Sequence, residues 1–344
     1  PTGFQAVNQD NLDDTASKIT AWAWIKNRDA DDNHVLVDRV RGVGKVWESN
    51  TNTTAFTNAN TVQRFLQRGV QVGNDVQVNT SGESYVLWQW LVGDSATTGS
   101  TTSPAGSIPS TTIVADTGHF SVGTYTGDGD DNETIGHGLG GIPEMIIVRN
   151  LSRTTFGLAW HTDGGGATHT ADFAAASLFS ANNQKFGGSD ASNPTANVFK
   201  IGTHNEINAN TESFVFYALR SIPGVCKVGS YTGNGDSNGD GPYISLGFKP
   251  KWLFIKRNDS TTDAAWWTLD TVRDNDGNPT NHLLRLNTNG VEGANNASLD
   301  TDFLADGFKP RSNYGGINAS SGTYLYMAMA DIGGNGTLPP IYGG

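Results

Sequence analysis

The segment Asn208-Ala-Asn-Thr-Glu-Ser-Phe214, which leads straight into Val215-Phe-Tyr-Ala-Leu219, decides how this chain folds because two other segments repeat its pattern. Each segment begins with Asn, has an aromatic residue six positions later, and continues as a strongly apolar stretch. The residues between are mostly small and polar, which is typical of turns. The other two segments are Asn79-Thr-Ser-Gly-Glu-Ser-Tyr85 before Val86-Leu-Trp-Gln-Trp90, and Asn318-Ala-Ser-Ser-Gly-Thr-Tyr324 before Leu325-Tyr-Met-Ala-Met329.

Further matches occur in the same order along the chain. The matching pairs are Val122-Gly-Thr-Tyr-Thr-Gly127 with Val228-Gly-Ser-Tyr-Thr-Gly233, Asp38-Arg-Val-Arg41 with Asp270-Thr-Val-Arg273, and Phe65-Leu-Gln-Arg-Gly-Val70 with Phe303-Leu-Ala-Asp-Gly-Phe308. Gly inside the last pair predicts a hairpin turn. Several independent matches in one order predict tandem modules.

These matches set the expected domain boundaries. We expect module one at 1–95, a Ser/Thr/Gly/Pro-rich linker at 96–117, a divergent module two at 118–222, module three at 223–333, and an extended tail at 334–344. Module one has no counterpart of the opening segment Val122–Gly127, so one sheet edge would lack a strand. We predict that residues 1–20, a neighbouring chain or an upstream domain supplies it.

Composition favours strands and turns over helices. Gly accounts for 43 of the 344 residues and charged residues for only 16%. Continuous apolar runs such as Met145-Ile-Ile-Val148 suit strands that are covered on both faces, whereas Val70-Gln-Val72 and Val76-Gln-Val78 alternate. We therefore predict an all-β fold in which three degenerate repeats each form a small antiparallel, jelly-roll-like β-sandwich.

Charge and cysteine content exclude several classes of protein. The net charge of −12 argues against nucleic-acid binding, which needs clustered Lys and Arg. No apolar stretch is long enough to insert into a membrane as a helix. Cys226 stands alone, so no disulfide forms within the chain. Small modules without disulfides predict stabilisation by oligomerisation, and a homotrimer is the expected assembly.

No specific catalytic motif occurs, so the chain is not expected to be an enzyme. No cofactor is expected either, except calcium. Two acidic loops at equivalent places supply the Asp and Asn oxygens that bind Ca²⁺, although the same residues also form ordinary turns. The candidate ligands are Asp128, Asp130, Asn132, Asn234, Asp236, Asn238 and Asp240.

Aromatic residues provide candidate ligand-binding positions, because their ring faces stack on sugars. Trp266 and Trp267 are adjacent, so on a strand one would face the core and the other would be exposed or at an interface. Trp160 and His161 belong to the divergent module two. Core packing is the alternative role for each of these Trp residues.

The chain resembles an uncharacterised β-rich repeat domain of virion proteins from marine and cyanobacterial phages, often found after a concanavalin-like or SPRY-type jelly roll. The resemblance rests on Tyr231-Thr-Gly233, Leu246-Gly-Phe-Lys-Pro250, Asp270-Thr-Val-Arg273 and the Asn318 segment, and it covers most of the chain. Module two departs from the pattern, with Leu158-Ala-Trp-His161 where the Asp-x-Val-Arg strand belongs.

The resemblance implies a structural protein on the virion surface, either a head decoration or head fibre or a component of a tail appendage. Its expected partners are further copies of itself and other virion proteins. An attachment protein that binds a host-surface glycan is the alternative, and a polysaccharide depolymerase is a third.

Overall fold

The computed structural model of the chain describes residues 5–8, 18–93, 101–103, 105–274 and 277–330. Nearly all regular structure in these residues is antiparallel β-sheet, and the helices are single turns. The all-β prediction is therefore confirmed. No helix in these ranges is long and apolar enough to cross a membrane.

Two compact units divide the described residues. Unit one contains Gln5–Asn8, Lys18–Arg220 and Leu286–Val291, and unit two contains Ser221–Arg285 and residues 292–330. The first unit thus includes the strands of modules one and two together. The division into three modules with a linker stays a prediction drawn from the sequence.

Module one forms two small sheets and a ribbon. Its elements are β1 (Gln5–Asn8), β2 (Lys18–Asn27), β3 (Val35–Asp38), β4 (Lys45–Val46), β5 (Phe56–Thr57), β6 (Val62–Leu66), β7 (Gly69–Val72), α1 (Val76–Asn79) and β8 (Tyr85–Gly93). One sheet has the order β3-β2-β8 and the other β1-β7-β6, while β4 pairs with β5.

The rest of unit one is built on an eight-stranded sheet. Its elements are β9 (Thr101–Ser103), β10 (Ser110–Val114), β11 (Phe120–Thr126), β12 (Glu133–Gly136), β13 (Met145–Asn150), β14 (Leu158–His161), β15 (His169–Asp172), β16 (Ser180–Ala181), β17 (Val198–Ile201), α2 (Asn205–Asn208) and β18 (Ser213–Leu219). The sheet runs β16-β15-β14-β13-β18-β11-β10-β9, and β12 pairs with β17 beside it.

Unit two repeats this arrangement with fewer strands. Its elements are β19 (Cys226–Thr232), β20 (Ile244–Ser245), β21 (Pro250–Arg257), β22 (Trp266–Asp270), β23 (Leu284–Arg285), a 3-10 turn (Ala297–Leu299), β24 (Thr301–Leu304), β25 (Gly307–Pro310), α3 (Gly315–Asn318) and β26 (Thr323–Ala330). The sheets run β19-β26-β21-β22-β23 and β20-β25-β24.

Each module has a core between its sheets. In unit two, Leu253 and Tyr326 of the larger sheet pack with Phe308 of the smaller one. The core of module two is formed in the same way, with Ile146 and Phe216 against Phe199. Two sheets that share one apolar layer define a β-sandwich.

The repeated Asn and aromatic residues fasten a helical turn to the closing strand. Tyr324 accepts a hydrogen bond from the Ala319 amide at 2.6 Å and donates to the Gly315 carbonyl at 2.8 Å. In module one, Tyr85 makes the equivalent bonds with the Thr80 amide and the Val76 carbonyl. The six-residue spacing therefore spans the connection from the Asn that ends the helical turn to the aromatic residue of the closing strand.

One local prediction is wrong. The alternating residues Val76-Gln-Val78 form the helical turn α1 and not a strand. Asp75 caps the turn, because its side chain accepts a hydrogen bond from the Gln77 amide at 2.9 Å. The two hairpins predicted around Gly69 and Gly307 are confirmed by the β6–β7 and β24–β25 pairings.

Within unit one, aromatic side chains of modules one and two pack together. Trp22 stacks on Trp90 with centroids 4.0 Å apart and on Tyr217 at 4.2 Å. Phe120 lies parallel to Trp22 at 5.9 Å. Aromatic pairs of this kind add to the energy of area burial, so this cluster is a main source of stability for unit one.

Candidate functional site

A buried ion pair ends strand β3. Asp38 Oδ1 accepts a hydrogen bond from the backbone amide of Arg41 at 2.9 Å, and Asp38 Oδ2 accepts one from the guanidinium Nε at 2.6 Å. The Leu36 carbonyl accepts a hydrogen bond from Nη2 of Arg41 at 3.2 Å. The side chains of Arg41 and Asp38 are only 6% and 0% exposed, so these bonds fix the guanidinium in one orientation.

Module two contributes to the same network. The Tyr217 hydroxyl donates to Asp38 Oδ2 and accepts from the indole Nε1 of Trp47, both at 2.8 Å. Burial, with the charge of Asp38 next, raises the pKa of Tyr217 well above its ordinary value, so the hydroxyl stays protonated. Burial lowers the pKa of Arg41, but Asp38 and Tyr217 more than offset this and raise it.

Module three repeats the pair and closes it. Asp270 binds the amide of Arg273 at 3.0 Å and its Nε at 2.6 Å, and the Thr268 carbonyl binds Nη2 at 3.0 Å. Here the remaining nitrogen, Nη1, donates to Glu292 at 3.0 Å. In Arg41, by contrast, Nη1 has no hydrogen-bond partner among the residues that the structure describes.

Module two has neither member of the pair. In module two His161 lies opposite Met145, and in module one Asp38 lies opposite Trp22. Met145 and Trp22 are at equivalent positions of their strands, so His161 takes the position of the aspartate. Its Nδ1 accepts the Asp163 amide at 3.1 Å. The divergence read from the sequence is therefore the replacement of a buried ion pair by a turn whose Asp163 amide donates to His161.

Arg41 lines an open cleft of about 520 Å³ in unit one. Lys45 is the other cation of the wall, and its Nζ donates to Thr57 Oγ1 at 2.9 Å. Phe56 is 37% exposed. No acidic residue occurs among the described residues that line this cleft. They are Val40, Arg41, Lys45, Ala55, Phe56, Thr57, Pro109, Thr111, Thr124, Tyr125, Thr126, Leu151 and Ser213.

This wall suits an anionic, hydroxyl-rich ligand. Two cations meet hydroxyl groups of Thr and Ser with an exposed aromatic ring nearby, in a chain whose net charge is −12. The volume is within the range of small-molecule sites, about 300–1,000 Å³. Arg binds carboxylates with short, charge-assisted hydrogen bonds, and a guanidinium already held in place loses little entropy on doing so.

In the first acidic loop proposed for calcium, side-chain oxygens accept hydrogen bonds from within the fold. Asp128 Oδ1 accepts the Asp130 amide at 3.0 Å and the Asn208 side chain at 3.2 Å. Asn132 Nδ2 donates to Ser189 Oγ at 2.9 Å. The loop is therefore tied to the helical turn α2 and to a neighbouring loop.

The second loop is closed similarly. Asp236 Oδ1 accepts the amides of Asn238 and Asp240, and Asn234 Oδ1 accepts the amide of Asp236. Asp240 pairs with Lys309 at 2.6 Å. Within the described ranges no three His, Cys, Asp or Glu side chains are grouped to hold a metal ion, so calcium binding stays a prediction.

The aromatic candidates lie inside the fold. Trp266 and Trp267 are 1% and 3% exposed, so neither ring is exposed to solvent, and core packing, the alternative role, applies to both because both faces of β22 are covered. Trp267 donates to the Asp263 carbonyl at 3.2 Å. Trp160 and His161 are 2% and 1% exposed. None of the four presents a ring face to solvent.

A buried cation is the second-last residue of each of the strands β2, β13 and β21. Lys256 donates to the Ala264 carbonyl at 2.6 Å, and burial lowers its pKa to about 7. Lys26 donates to the Ala30 carbonyl at 2.9 Å. Arg149 binds the Thr53 carbonyl, and burial lowers its pKa to about 10. In each case the cation fastens a loop to the sheet.

The cleft was not predicted from the sequence. Arg41 was recognised as part of a repeated motif, but the lining comes from residues as far apart as Val40 and Ser213, and only the fold brings these together. One available signal is that Glu292, the third partner of Arg273, lies outside the repeated Asp-x-Val-Arg motif, so the two copies of the motif need not share this partner.

The fold and the cleft define an all-β protein of antiparallel sandwiches with a cationic, hydroxyl-lined site in unit one. Residues 10–332 match the family described as a domain of unknown function (DUF7483), and the chain belongs to that family. No curated protein and no solved structure is similar enough to the chain to count as a match.

Proposed function

We propose that the protein is a component of a bacteriophage virion surface and that it attaches to acidic polysaccharide of the host through the cleft of unit one. The resemblance of the repeat to phage virion domains supports the location. The observation that carries the ligand class is the difference between two arginines. Arg273 Nη1 binds the internal carboxylate of Glu292, while Arg41, whose Nη1 has no hydrogen-bond partner among the described residues, lines a cleft with no acid in its described lining.

In this proposal a uronic-acid carboxylate takes at Arg41 the place that Glu292 takes at Arg273. Lys45 supplies a second positive charge, and Thr111, Thr124 and Ser213 supply hydroxyl groups for the sugar. The exposed ring of Phe56 offers an apolar contact for a pyranose face. Binding alone follows from these groups, without a bond-breaking step.

The experiment is calorimetric titration of the full chain with a galacturonic-acid hexamer and with neutral maltohexaose. We expect the acidic hexamer alone to bind. Lys45→Gln should weaken binding about tenfold, since a charged hydrogen bond contributes about 1.5–3 kcal/mol and tenfold is about 1.4 kcal/mol. Lys45 is exposed, so the variant should unfold at the wild-type temperature.

Lys249→Gln is the matched control, because Lys249 is an exposed lysine of unit two and does not line the cleft. It should bind like the wild type. Equal weakening by both variants would mean diffuse charge attraction and would contradict a site at the cleft. So would equal binding of the neutral hexamer.

A structural role without ligand binding is the second candidate function. The observation that favours it is the repeated fastening of loops by buried cations, as at Lys26 and Lys256, which serves rigidity and not recognition. A decoration protein would be present in many copies per particle, and the proposed homotrimer would give three times the monomer mass in light scattering. Quantitative mass spectrometry of purified particles separates many copies from the few of a tail adhesin.

A further inference from the structure

The closing strands of the three modules differ in how they are flanked. β18 pairs with β13 on one side and with the opening strand β11 on the other. β26 is likewise held between β21 and the opening strand β19. β8 pairs with β2, and among the described residues no strand lies along its other edge. Such an edge offers backbone N–H and C=O groups for pairing.

The opening strand brings a tyrosine into the core of its module. The Tyr125 ring stacks on Phe214 with centroids 4.9 Å apart, and its hydroxyl donates to the Ile207 carbonyl at 2.6 Å. Tyr231 stacks on Tyr324 at 4.9 Å and donates to the carbonyl of Ile317 at 2.7 Å. The same two contacts in both units make this tyrosine a regular part of the module.

Module one has the receiving half of this contact. Tyr85 takes the position of Tyr324, and Val78 of α1 takes that of Ile317. Tyr85 and Leu87 are only partly buried, whereas Tyr324 and Tyr326 are 0% and 2% exposed. The core of module one is thus open at the place where the tyrosine would lie.

A second contact is incomplete in the same way. Asn208 Oδ1 accepts the Asp128 amide at 3.0 Å, and Asn318 Oδ1 accepts the Asn234 amide at 2.9 Å. Both amides follow directly after the Tyr-Thr-Gly of an opening strand. The equivalent Asn79 donates to the Gly73 carbonyl at 2.7 Å, and no described residue donates to its Oδ1.

The register also fixes a glycine in the incoming strand. Gly123 lies opposite Phe216, and a Cβ on it would come 2.4 Å from the ring. Gly229 lies opposite Tyr326, where a Cβ would come 2.8 Å from the hydroxyl oxygen. Gly thus lies opposite this strand position in both modules, and the residue at the corresponding position of module one is Leu87.

Connectivity indicates where the strand comes from. Strand β1 takes in module one the place that β12 takes in module two and β20 in module three. The equivalent pairs are Val7 with Val70, Ile135 with Phe199, and Ile244 with Phe308. In modules two and three the chain enters this position from the opening strand through Thr-Gly. Thr2-Gly3 precedes β1 in the sequence in the same order.

We propose that an added strand of the pattern Val-Gly-Ser/Thr-Tyr-Thr-Gly pairs with the unpaired edge of β8. The polypeptide that leads into β1 forms this strand. Its tyrosine stacks on Tyr85 and donates to the Val78 carbonyl, and the amide after its last glycine donates to Asn79. This proposal does not depend on the proposed ligand of the cleft.

The test replaces Pro1 by Lys-Val-Gly-Ser-Tyr, the sequence of Lys227–Tyr231, so that it runs into Thr2-Gly3. We expect the melting temperature to rise by about 4 °C or more, since the strand adds buried area to unit one, and exchange of the β8 amides to slow. Two matched extensions, Lys-Val-Val-Ser-Tyr and Lys-Val-Gly-Ser-Ser, should give little of this gain. Equal shifts from all three extensions, or no shift and no slowing of exchange, would overturn the proposal.

Discussion

Modules one and three each hold an arginine with an aspartate and a backbone carbonyl, and they differ in what meets the last nitrogen of the arginine, Nη1. Asp270, the Thr268 carbonyl and Glu292 bind every nitrogen of the Arg273 guanidinium, and nothing is left for a ligand. In module one no described residue binds Arg41 Nη1, Arg41 lines a cleft, and a hydroxyl from module two donates to the aspartate. The comparison teaches that one motif can serve structure alone or structure and recognition, depending on a single neighbouring carboxylate.

The largest expected effect separates the two pairs by stability. Arg273→Leu leaves two buried carboxylates, Asp270 and Glu292, without their cation, and should lower the free energy of unfolding by about 3–5 kcal/mol. Arg41→Leu should cost less, because Tyr217 still donates to Asp38. Urea unfolding of both variants measures the difference. An equal loss of unfolding free energy in both variants would mean that the third group, Glu292 or Tyr217, does not affect the stability of the pair.

The next prediction concerns pH and the buried lysine of module three. Since the pKa of Lys256 is lowered from 10.5 to about 7, the unfolded chain holds a proton between these pH values that the folded chain has released. Raising the pH from 7 to 9 should therefore stabilise the wild type relative to Lys256→Met by about 2 kcal/mol. Urea midpoints at the two pH values give the comparison, and parallel curves would contradict a neutral Lys256.

The smallest effect tests the hydroxyl that joins modules one and two. Tyr217→Phe removes the donor to Asp38 and the acceptor of Trp47 while the ring remains, and should cost about 1–3 kcal/mol. Met327 is the equivalent of Tyr217 in unit two, and Tyr326→Phe, at the neighbouring position of the same strand, is a control that removes a hydroxyl from unit two. If both variants unfold at the same urea concentration as the wild type, the hydroxyl network does not stabilise unit one.

Much of the fold could be predicted because its signals are local. Repeated turns, hairpin glycines and apolar strands are all read within a few residues, and the β6–β7 and β24–β25 hairpins follow directly. The strand expected at Val76–Val78 does not form because Asp75 caps a helical turn there. This short-range hydrogen bond outweighs the alternation of apolar and polar residues. The burial of the aromatic candidates could not be predicted for a different reason, while calcium binding at the two acidic loops stays a prediction. Burial of Trp266 and Trp267 depends on elements far along the chain, as does the assembly of the cleft.

The missing strand of module one was partly anticipated. The sequence indicated that an opening segment was absent and offered residues 1–20 as one source. The structure pairs Gln5–Asn8 with β7, which is the place of β12 and not that of the opening strand. Residues 1–4 and 9–17 lie outside the described residues. Sequence matching found the gap, but only the strand register shows which edge it concerns.

The hydroxyl of Tyr217 has a consequence for how unit one breaks. A fragment that ends after β8 would hold the Asp38 carboxylate and the Trp47 indole in its interior without the Tyr217 oxygen that joins them. A fragment that starts after β8 would carry Tyr217 and Phe120 without Trp22, on which both pack. Cleavage between the two halves should therefore yield no stable half, and a protease should find unit one either intact or fully digested.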